Sequence, residues 1–214
     1  MKPIGLLGGT FDPVHFGHLR LAAEVIQRLD LEELRFVPLH VPPHREAPRA
    51  TAEQRYTMLQ MAITDVDCLR VDNRELHREG VSYTIDTVKS LRKETGNTPL
   101  CLLLGMDAFK SIDTWHRWEE LLTYVHIIIA DRPGTTLPTG VKTIKELVDE
   151  YSVDDYTLLH QAQAGKILYI PVPMLDISST HIRQQISNQN NVRFLLPDAV
   201  LDYIHTNHLY QDCS

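Results

Sequence analysis

Near the N-terminus the run Ile4–Leu7 is wholly compatible with burial and stops at Gly8-Gly9, and beyond it Leu19, Ala22, Ala23, Ile26 and Leu29 recur at helical spacing. A short continuous run of this kind reads as a strand buried on both faces, and paired glycines end it in a tight loop. The periodic stretch from Phe16 to Leu29 reads as an amphipathic helix. Strand, glycine loop and helix in that order commit the chain to an architecture in which strands alternate with helices.

The alternation continues downstream. Leu34–Leu39 reads as a second strand stopped by Pro42-Pro43, and Thr51–Ile63 as a helix with Thr51 at its cap and Gln54 placed to complete a capping box. Leu69–Val71 reads as a short strand and Thr84–Glu94 as a helix with Ile85, Val88 and Leu91 on one face. Leu100–Leu104 and Val125–Ala130 are nearly continuous apolar runs, the pattern of strands inside a parallel sheet. A helix carrying Trp115, Trp118 and Leu122 is expected between them. Asp131–Gly140, with its prolines and glycines, reads as a loop or boundary. Helices are expected near 142–150 and 154–164, a strand over Ile167–Val172, and further helices from about Ser178 and Pro197. The expected fold class is α/β: a parallel sheet flanked by helices, with a small, mostly helical C-terminal part. Residues 1–214 are expected to form a single domain, with the sheet core running to about 135 and the C-terminal part starting at about 140.

Of the 214 residues 43% are hydrophobic and 23% charged, an ordinary soluble composition, and the formal net charge is −7 with no basic patch. A nucleic-acid partner is therefore not expected, and a charged substrate needs positive groups gathered locally. Cys68, Cys101 and Cys213 show neither metal-ligand nor disulfide spacing, which fits a reducing compartment. Met1-Lys2-Pro3 runs directly into the first strand without the build of a signal peptide, and no apolar run approaches the roughly 20 residues of a membrane span. The expectation is a cytoplasmic protein with no membrane partner; a homo-oligomer is compatible with the sequence.

Two segments carry chemistry. The first is the string from Gly8 through Gly9, Thr10, Phe11, Asp12, Pro13, Val14, His15, Phe16 and Gly17 to His18, running from the first strand into the first helix. Ligands of open α/β sheets bind just outside the carboxyl ends of strands. Gly8 and Gly9 let a phosphate approach the backbone, Thr10 adds a hydroxyl, and His15 and His18 share a face of the first helical turn. Gly17, between them, leaves room for a flat base against the helix. Two histidines on one helix face also suit zinc, but no third ligand follows at useful spacing. The string has no Walker lysine and is not a G-x-G-x-x-G fingerprint. The second segment is Ile177-Ser178-Ser179-Thr180-His181-Ile182-Arg183. Its consecutive hydroxyls read as a helix cap, and the free amides with Arg183 make an anion site. Taken alone it is also what a capped surface helix looks like.

Together, GGTFDPVHFGH and ISSTHIR resemble the nucleotidyltransferase family that carries an HxGH signature and a C-terminal ISSTxIR signature. The similarity is greatest to its nicotinate-mononucleotide adenylyltransferase branch, on Pro42-Pro43-His44-Arg45, Ser82-Tyr83-Thr84, Gly105-Met106-Asp107, Thr114-Trp115 and Asp131-Arg132-Pro133-Gly134. The resemblance implies a Rossmann-like sheet and transfer of AMP from ATP to nicotinate mononucleotide, with ATP carried as its Mg²⁺ complex. It implies His15, His18 and Arg183 as the catalytic groups, with Gly8, Gly9, Thr10, Phe11, Gly17, Ser178, Ser179 and Thr180 completing the ATP site. The acceptor side is implied to use His44, Arg45, Tyr83, Thr84, Gly105, Asp107, Trp115 and Arg132. Trp115 would stack on the pyridine, a cation–π contact, while Trp118 reads as the core tryptophan. Asp107 fits ribose binding, a place near the metal or a helix cap, and Arg132 fits an acceptor contact or a plain surface arginine. No protein cage for the metal is visible. A sister enzyme using nicotinamide mononucleotide or phosphopantetheine, an inactive nucleotide-binding module, and a tRNA-synthetase-like activation domain are the competing readings.

Overall fold

The computed structural model describes residues 1–40, 47–78, 80–132 and 142–211. Seven strands form one parallel sheet in the order β3-β2-β1-β4-β5-β7-β6. They are β1 (Ile4–Gly9), β2 (Glu33–Pro38), β3 (Leu69–Val71), β4 (Leu100–Gly105), β5 (His126–Asp131), β6 (Ser152–Val153) and β7 (Ile167–Pro171). Helices α1 (Phe16–Leu29), α2 (Ala52–Ala62) and α3 (Thr84–Thr95) follow the first three strands. Short helices α4 (Met106–Lys110) and α5 (Leu121–Tyr124) lie between β4 and β5, and α6 (Lys142–Tyr151), α7 (Ser179–Ser187) and α8 (Asp198–Thr206) complete the set. The expected α/β class is therefore the observed one.

The apolar runs are continuous because each central strand is covered on both faces. Leu7, Cys101, Leu103, Ile128 and Ala130 point into one core cluster, with Ala22 and Val25 of α1, Met58 and Leu59 of α2, and Ile182, Val200 and Ile204 of the last two helices. Their neighbours Ile4, Leu6, Leu100, Leu102, Leu104, Ile127 and Ile129 point into the other, against Ile85, Val88 and Leu91 of α3 and Ile144 of α6. The strand period of two thus sorts one sequence run into two cores. Among the described residues no helix is long and apolar enough to cross a membrane.

Three sequence expectations are corrected. The segment with Trp115, Trp118 and Leu122 is not one helix: α4 gives way to 3₁₀ turns at Ile112–Thr114 and Trp118–Glu120 before α5. Trp115 is extended and Arg117 is left-handed at φ 53°, which no continuous helix tolerates. Trp118 is half-buried rather than a core residue. The second correction falls at 154–164, where a 3₁₀ turn, Tyr156–His160, stands in place of a helix. Asp155 caps it, accepting from the Thr157 amide at 2.8 Å, and the chain turns back at Gly165 with φ 88°. The third is an addition: the two-residue strand β6 extends the sheet beyond β7, which is the strand expected over Ile167–Val172. The capping box on α2 is present as read, with Gln54 N–H donating to Thr51 Oγ1 at 3.2 Å and Thr51 N–H to Gln54 Oε1 at 2.9 Å.

Candidate active site

The sheet order reverses at β1, whose neighbours are β2 and β4, so a crevice opens at the carboxyl end of β1. The loop leaving β1 sits in it. Its residues Gly8, Gly9 and Thr10 form a wall common to two clefts. One, of about 800 Å³, also has His18, Arg49, Ser179, Thr180 and Arg183 in its lining. The other, of about 720 Å³, takes in Tyr83, Thr84, Gly105, Trp115 and His116. The glycine–histidine string and the serine-rich helix start, which lie more than 160 residues apart, therefore meet: Ser179 Oγ donates to the Pro13 carbonyl at 2.9 Å, the two residues being 166 positions apart.

The loop is held in a conformation it would not adopt alone. Phe11 is left-handed at φ 50°, unfavourable for a bulky side chain, and is kept there by burial against His18 and Phe36 at ring-centroid distances of 5.0 and 5.5 Å. Gly9 is required beneath it, since a Cβ there would lie 2.8 Å from the Phe11 ring. Gly8 faces open space, so its backbone is free for close approach by a ligand. The buried Asp12 carboxylate organises the surroundings. Its Oδ2 accepts from the Arg49 amide at 2.9 Å, and its Oδ1 accepts from the Ala50 amide at 3.1 Å and the Tyr210 hydroxyl at 2.8 Å. Burial and the nearby Asp12 charge push the Tyr210 phenol well above its usual range, so it stays a donor. Arg55, buried in α2, donates through Nη1 to the Thr10 carbonyl and through Nη2 to the Leu39 carbonyl, both at 2.7 Å.

His15 is the N-cap residue of α1 and His18 sits in its first turn, with the imidazoles stacked at 3.8 Å. The His15 backbone N–H donates to His18 Nδ1 at 3.3 Å, which puts the single proton of a neutral His18 on Nε2. Burial holds His15 down to about 4; burial, together with His15, holds His18 down to about 3. Both are neutral near pH 7, and His18 offers an N–H rather than a charge. Gly17 also has a structural role. The His15 ring already occupies the space beside it, since a Cβ would meet His15 Cε1 and Nδ1 at 2.9 Å.

On the opposite wall Ser178 caps α7, its Oγ accepting from the His181 amide at 3.2 Å. Arg183 Nη1 donates to the Asp12 carbonyl at 2.7 Å and Nη2 to Thr180 Oγ1 at 3.3 Å, so the guanidinium is oriented before any ligand arrives. In the second cleft no side chain caps α3, which leaves the first amides after Tyr83 without a side-chain partner. Tyr83 packs on His116 with ring centroids 4.3 Å apart, and Trp115 contributes its half-buried ring. Two expected acceptor residues are not brought into either cleft lining. Asp107 is exposed in the first turn of α4, whose cap is Gly105, and Arg132 is exposed and donates to Asp176 at 3.0 Å. His44 and Arg45 lie outside the described residues. Asp12, Arg49, Arg55 and Tyr210 were not singled out from sequence. Arg55 left a trace, a guanidinium on the same helix face as Met58 and Leu59, whereas Tyr210 left none. Among the described residues no three His, Cys, Asp or Glu side chains cluster to hold a metal ion.

Residues 6–185 match the cytidylyltransferase-like family. Over 208 residues the chain is 47% identical to a "Probable nicotinate-nucleotide adenylyltransferase" of Methylococcus capsulatus, covering 97% of this chain and 99% of that one. It is 44% identical to the protein of the same description from Psychromonas ingrahamii, with 98% of each covered. Among solved structures, the Plasmodium falciparum nicotinic acid mononucleotide adenylyltransferase complexed with NaAD superposes with a TM-score of 0.75 at 20% identity, over 98% of both chains, and so shares the fold. With the glycine–histidine loop, the serine-capped arginine helix and these relatives in agreement, the chain belongs to the cytidylyltransferase-like family and, within it, to the nicotinate-nucleotide adenylyltransferases.

Proposed function

We propose that the chain joins the AMP moiety of ATP to nicotinate mononucleotide in the cytoplasm, giving deamido-NAD and pyrophosphate. The observation that carries this reading is the shared wall at Gly8–Thr10: two substrates bound in the two clefts meet there and nowhere else. In the mechanism an oxygen of the acceptor's 5′-phosphate attacks the α-phosphorus of ATP. The bond from that phosphorus to the β-phosphate oxygen breaks, and pyrophosphate leaves on the opposite side. The attacking phosphate is already ionised, so the protein supplies position and charge stabilisation rather than a nucleophile.

The geometry supports the following roles. His18 Nε2–H donates to an α-phosphate oxygen, and its neutrality avoids burying a cation beside His15. Arg183 and the α7 start, with Ser179 and Thr180, hold the departing phosphates. Gly8 admits the phosphates close to the backbone. Across the wall Trp115 takes the pyridine face and the α3 amides take its carboxylate. Mg²⁺ would arrive on the ATP phosphates and supply charge neutralisation there. The Asp12 carboxylate is committed to Arg49, Ala50 and Tyr210, so the chain fits a metal held through phosphate and water rather than through a protein cage.

The test is pyrophosphate release from ATP and Mg²⁺ with nicotinate mononucleotide, nicotinamide mononucleotide or phosphopantetheine as acceptor. The acid pyridine nucleotide should give the highest kcat/KM. Release with phosphopantetheine alone, or a preference for the amide, would overturn the proposed acceptor.

A further inference from the structure

Beneath the acceptor cleft lies a buried carboxyl that the mechanism above does not use. Glu75 is 3% exposed and lines the cleft, as does Ser82, also 3% exposed. Glu75 Oε1 accepts from Thr87 Oγ1 at 2.6 Å, and Thr87 Oγ1 in turn accepts from Arg78 Nη1 at 3.1 Å. The order of donors is fixed: the guanidinium has only protons to give, so the Thr87 hydroxyl must spend its one proton on Glu75. His40 Nδ1 donates to the Arg78 carbonyl at 3.3 Å, tying this strap to the segment just after β2. Thr87 belongs to the opening turn of α3 and bonds through its amide to the Tyr83 carbonyl at 3.3 Å. Glu75 is thus linked by one hydroxyl to the turn whose free amides face the acceptor.

The arrangement is chemically expensive. Glu75 Oε2 and Ser82 Oγ are both buried and have no hydrogen-bond partner among the described residues, and burial pushes the Glu75 carboxyl up despite the attraction of Thr87 and Arg78. Ser82 lies near enough to ease that penalty, and the Asp72 charge adds to it. An apolar residue of similar volume would fill the same space without the unpaired Oε2, so packing alone does not account for a carboxyl here.

We propose that Glu75 is a positioning residue for acceptor specificity: through Thr87 it fixes the opening turn of α3 so that the amides after Tyr83 converge on the acidic substituent of the pyridine. The inference rests on the acceptor assigned above. Its consequence is a defect confined to one substrate. If the link is cut, the turn loosens, the carboxylate loses its converging donors, and an acid acceptor loses more than an amide one.

Three variants separate this from a general structural role, each assayed by pyrophosphate release and thermal melting. Thr87→Val removes the hydroxyl without changing volume, Glu75→Ala removes the carboxyl, and Glu75→Gln keeps an oxygen that can accept from Thr87. Thr87→Val and Glu75→Ala should raise KM for nicotinate mononucleotide about tenfold, the scale of a sub-ångström loss of positioning, with kcat and the KM for ATP within about twofold. Both should reduce the acid-to-amide ratio of kcat/KM, and Glu75→Gln should restore it. If Glu75→Ala fails to fold, Thr87→Val carries the test, since it leaves the buried carboxyl in place. An unchanged acid-to-amide ratio in Thr87→Val, or a fall in kcat shared by both acceptors, overturns the proposal. Absence of any turnover by the unmodified chain with nicotinate mononucleotide would instead overturn the acceptor assignment, so the two failures are distinguishable.

Discussion

Replacing Gly17 by alanine sets two known effects against each other. Gly17 lies in the first turn of α1 with no positive φ, so alanine is conformationally acceptable there, and helix propensity alone would favour it by up to about 1 kcal/mol. Against this, the new Cβ would lie 2.9 Å from two atoms of the His15 ring, where ordinary contact begins at 3.4 Å. The ring must therefore yield by about 0.5 Å, and it has little freedom, being 5% exposed and stacked on His18 at 3.8 Å. Overpacking of this kind costs about 1–3 kcal/mol, more than the propensity gain. Because the stack sets the place of His18, displacement also reaches the donor proposed for the α-phosphate, and misplacement by a fraction of an ångström to one ångström lowers turnover by about 10- to 100-fold. Gly17→Ala should thus melt lower, by about 2–4 °C for each net kcal/mol in a chain of this size, and lose kcat at saturating substrates. The cycle with His15→Ala isolates the cause: once the ring is gone, Gly17→Ala should be neutral or slightly stabilising. Wild-type turnover together with an unchanged or higher Tm in Gly17→Ala would refute the reasoning. So would an equal penalty in the His15→Ala background.

The stacked histidines give the fold an acid limb. Their folded-state pKa values, about 4 for His15 and about 3 for His18, lie below the unfolded value of 6.5, so the folded state binds fewer protons in that window. Their stability is complete above about pH 6.5 and falls as the pH drops through it, by up to about 1.4 kcal/mol per pH unit for each histidine, until the folded values are reached. Denaturant titrations between about pH 7.5 and 5 should show a shallower decline in His18→Asn; an identical slope removes His18 from the effect. For the tryptophans, Trp115→Ala should raise the acceptor KM about tenfold with little change for ATP, a loss of about 1.4 kcal/mol of stacking. Trp118→Ala should instead lower Tm, by no more than about 3 kcal/mol in stability because it is half-buried, with kinetics reporting a mistaken assignment if only its acceptor KM moves.

What could be read from the chain was local. The runs at β1, β4 and β5 announced a parallel sheet because both faces of those strands are buried, and the glycine–histidine string was legible because its parts are contiguous. The misread helix between β4 and β5 shows the limit of periodicity. Trp115, Trp118 and Leu122 have helical spacing, yet the left-handed Arg117, held by ion pairing to Glu120, breaks the segment and frees Trp115 to face the cleft. The Asp12 hub was illegible for another reason: its partners Arg49, Ala50, Arg183 and Tyr210 lie 37, 38, 171 and 198 positions away. The contact of Gly17 with the His15 ring was not legible, because only the folded loop puts that ring against it.

These long-range contacts explain how a chain of net charge −7 can receive two phosphate-rich substrates. In the cleft, positive charge is fixed where Arg183 is oriented by the Asp12 carbonyl. The histidines beside it add no charge of their own, since two stacked imidazolium rings would repel each other in a buried site. They are neutral dipoles, and the proton position of His18 is set by the α1 backbone, as the His15 N–H to His18 Nδ1 bond requires. Under the proposed mechanism, charge that develops during transfer meets donors already in place, with no side chain having to change protonation state. Asp12 is central because its carboxylate orders the Arg49–Ala50 loop and its carbonyl orders Arg183, so both sides of the phosphate cleft are set by one buried residue.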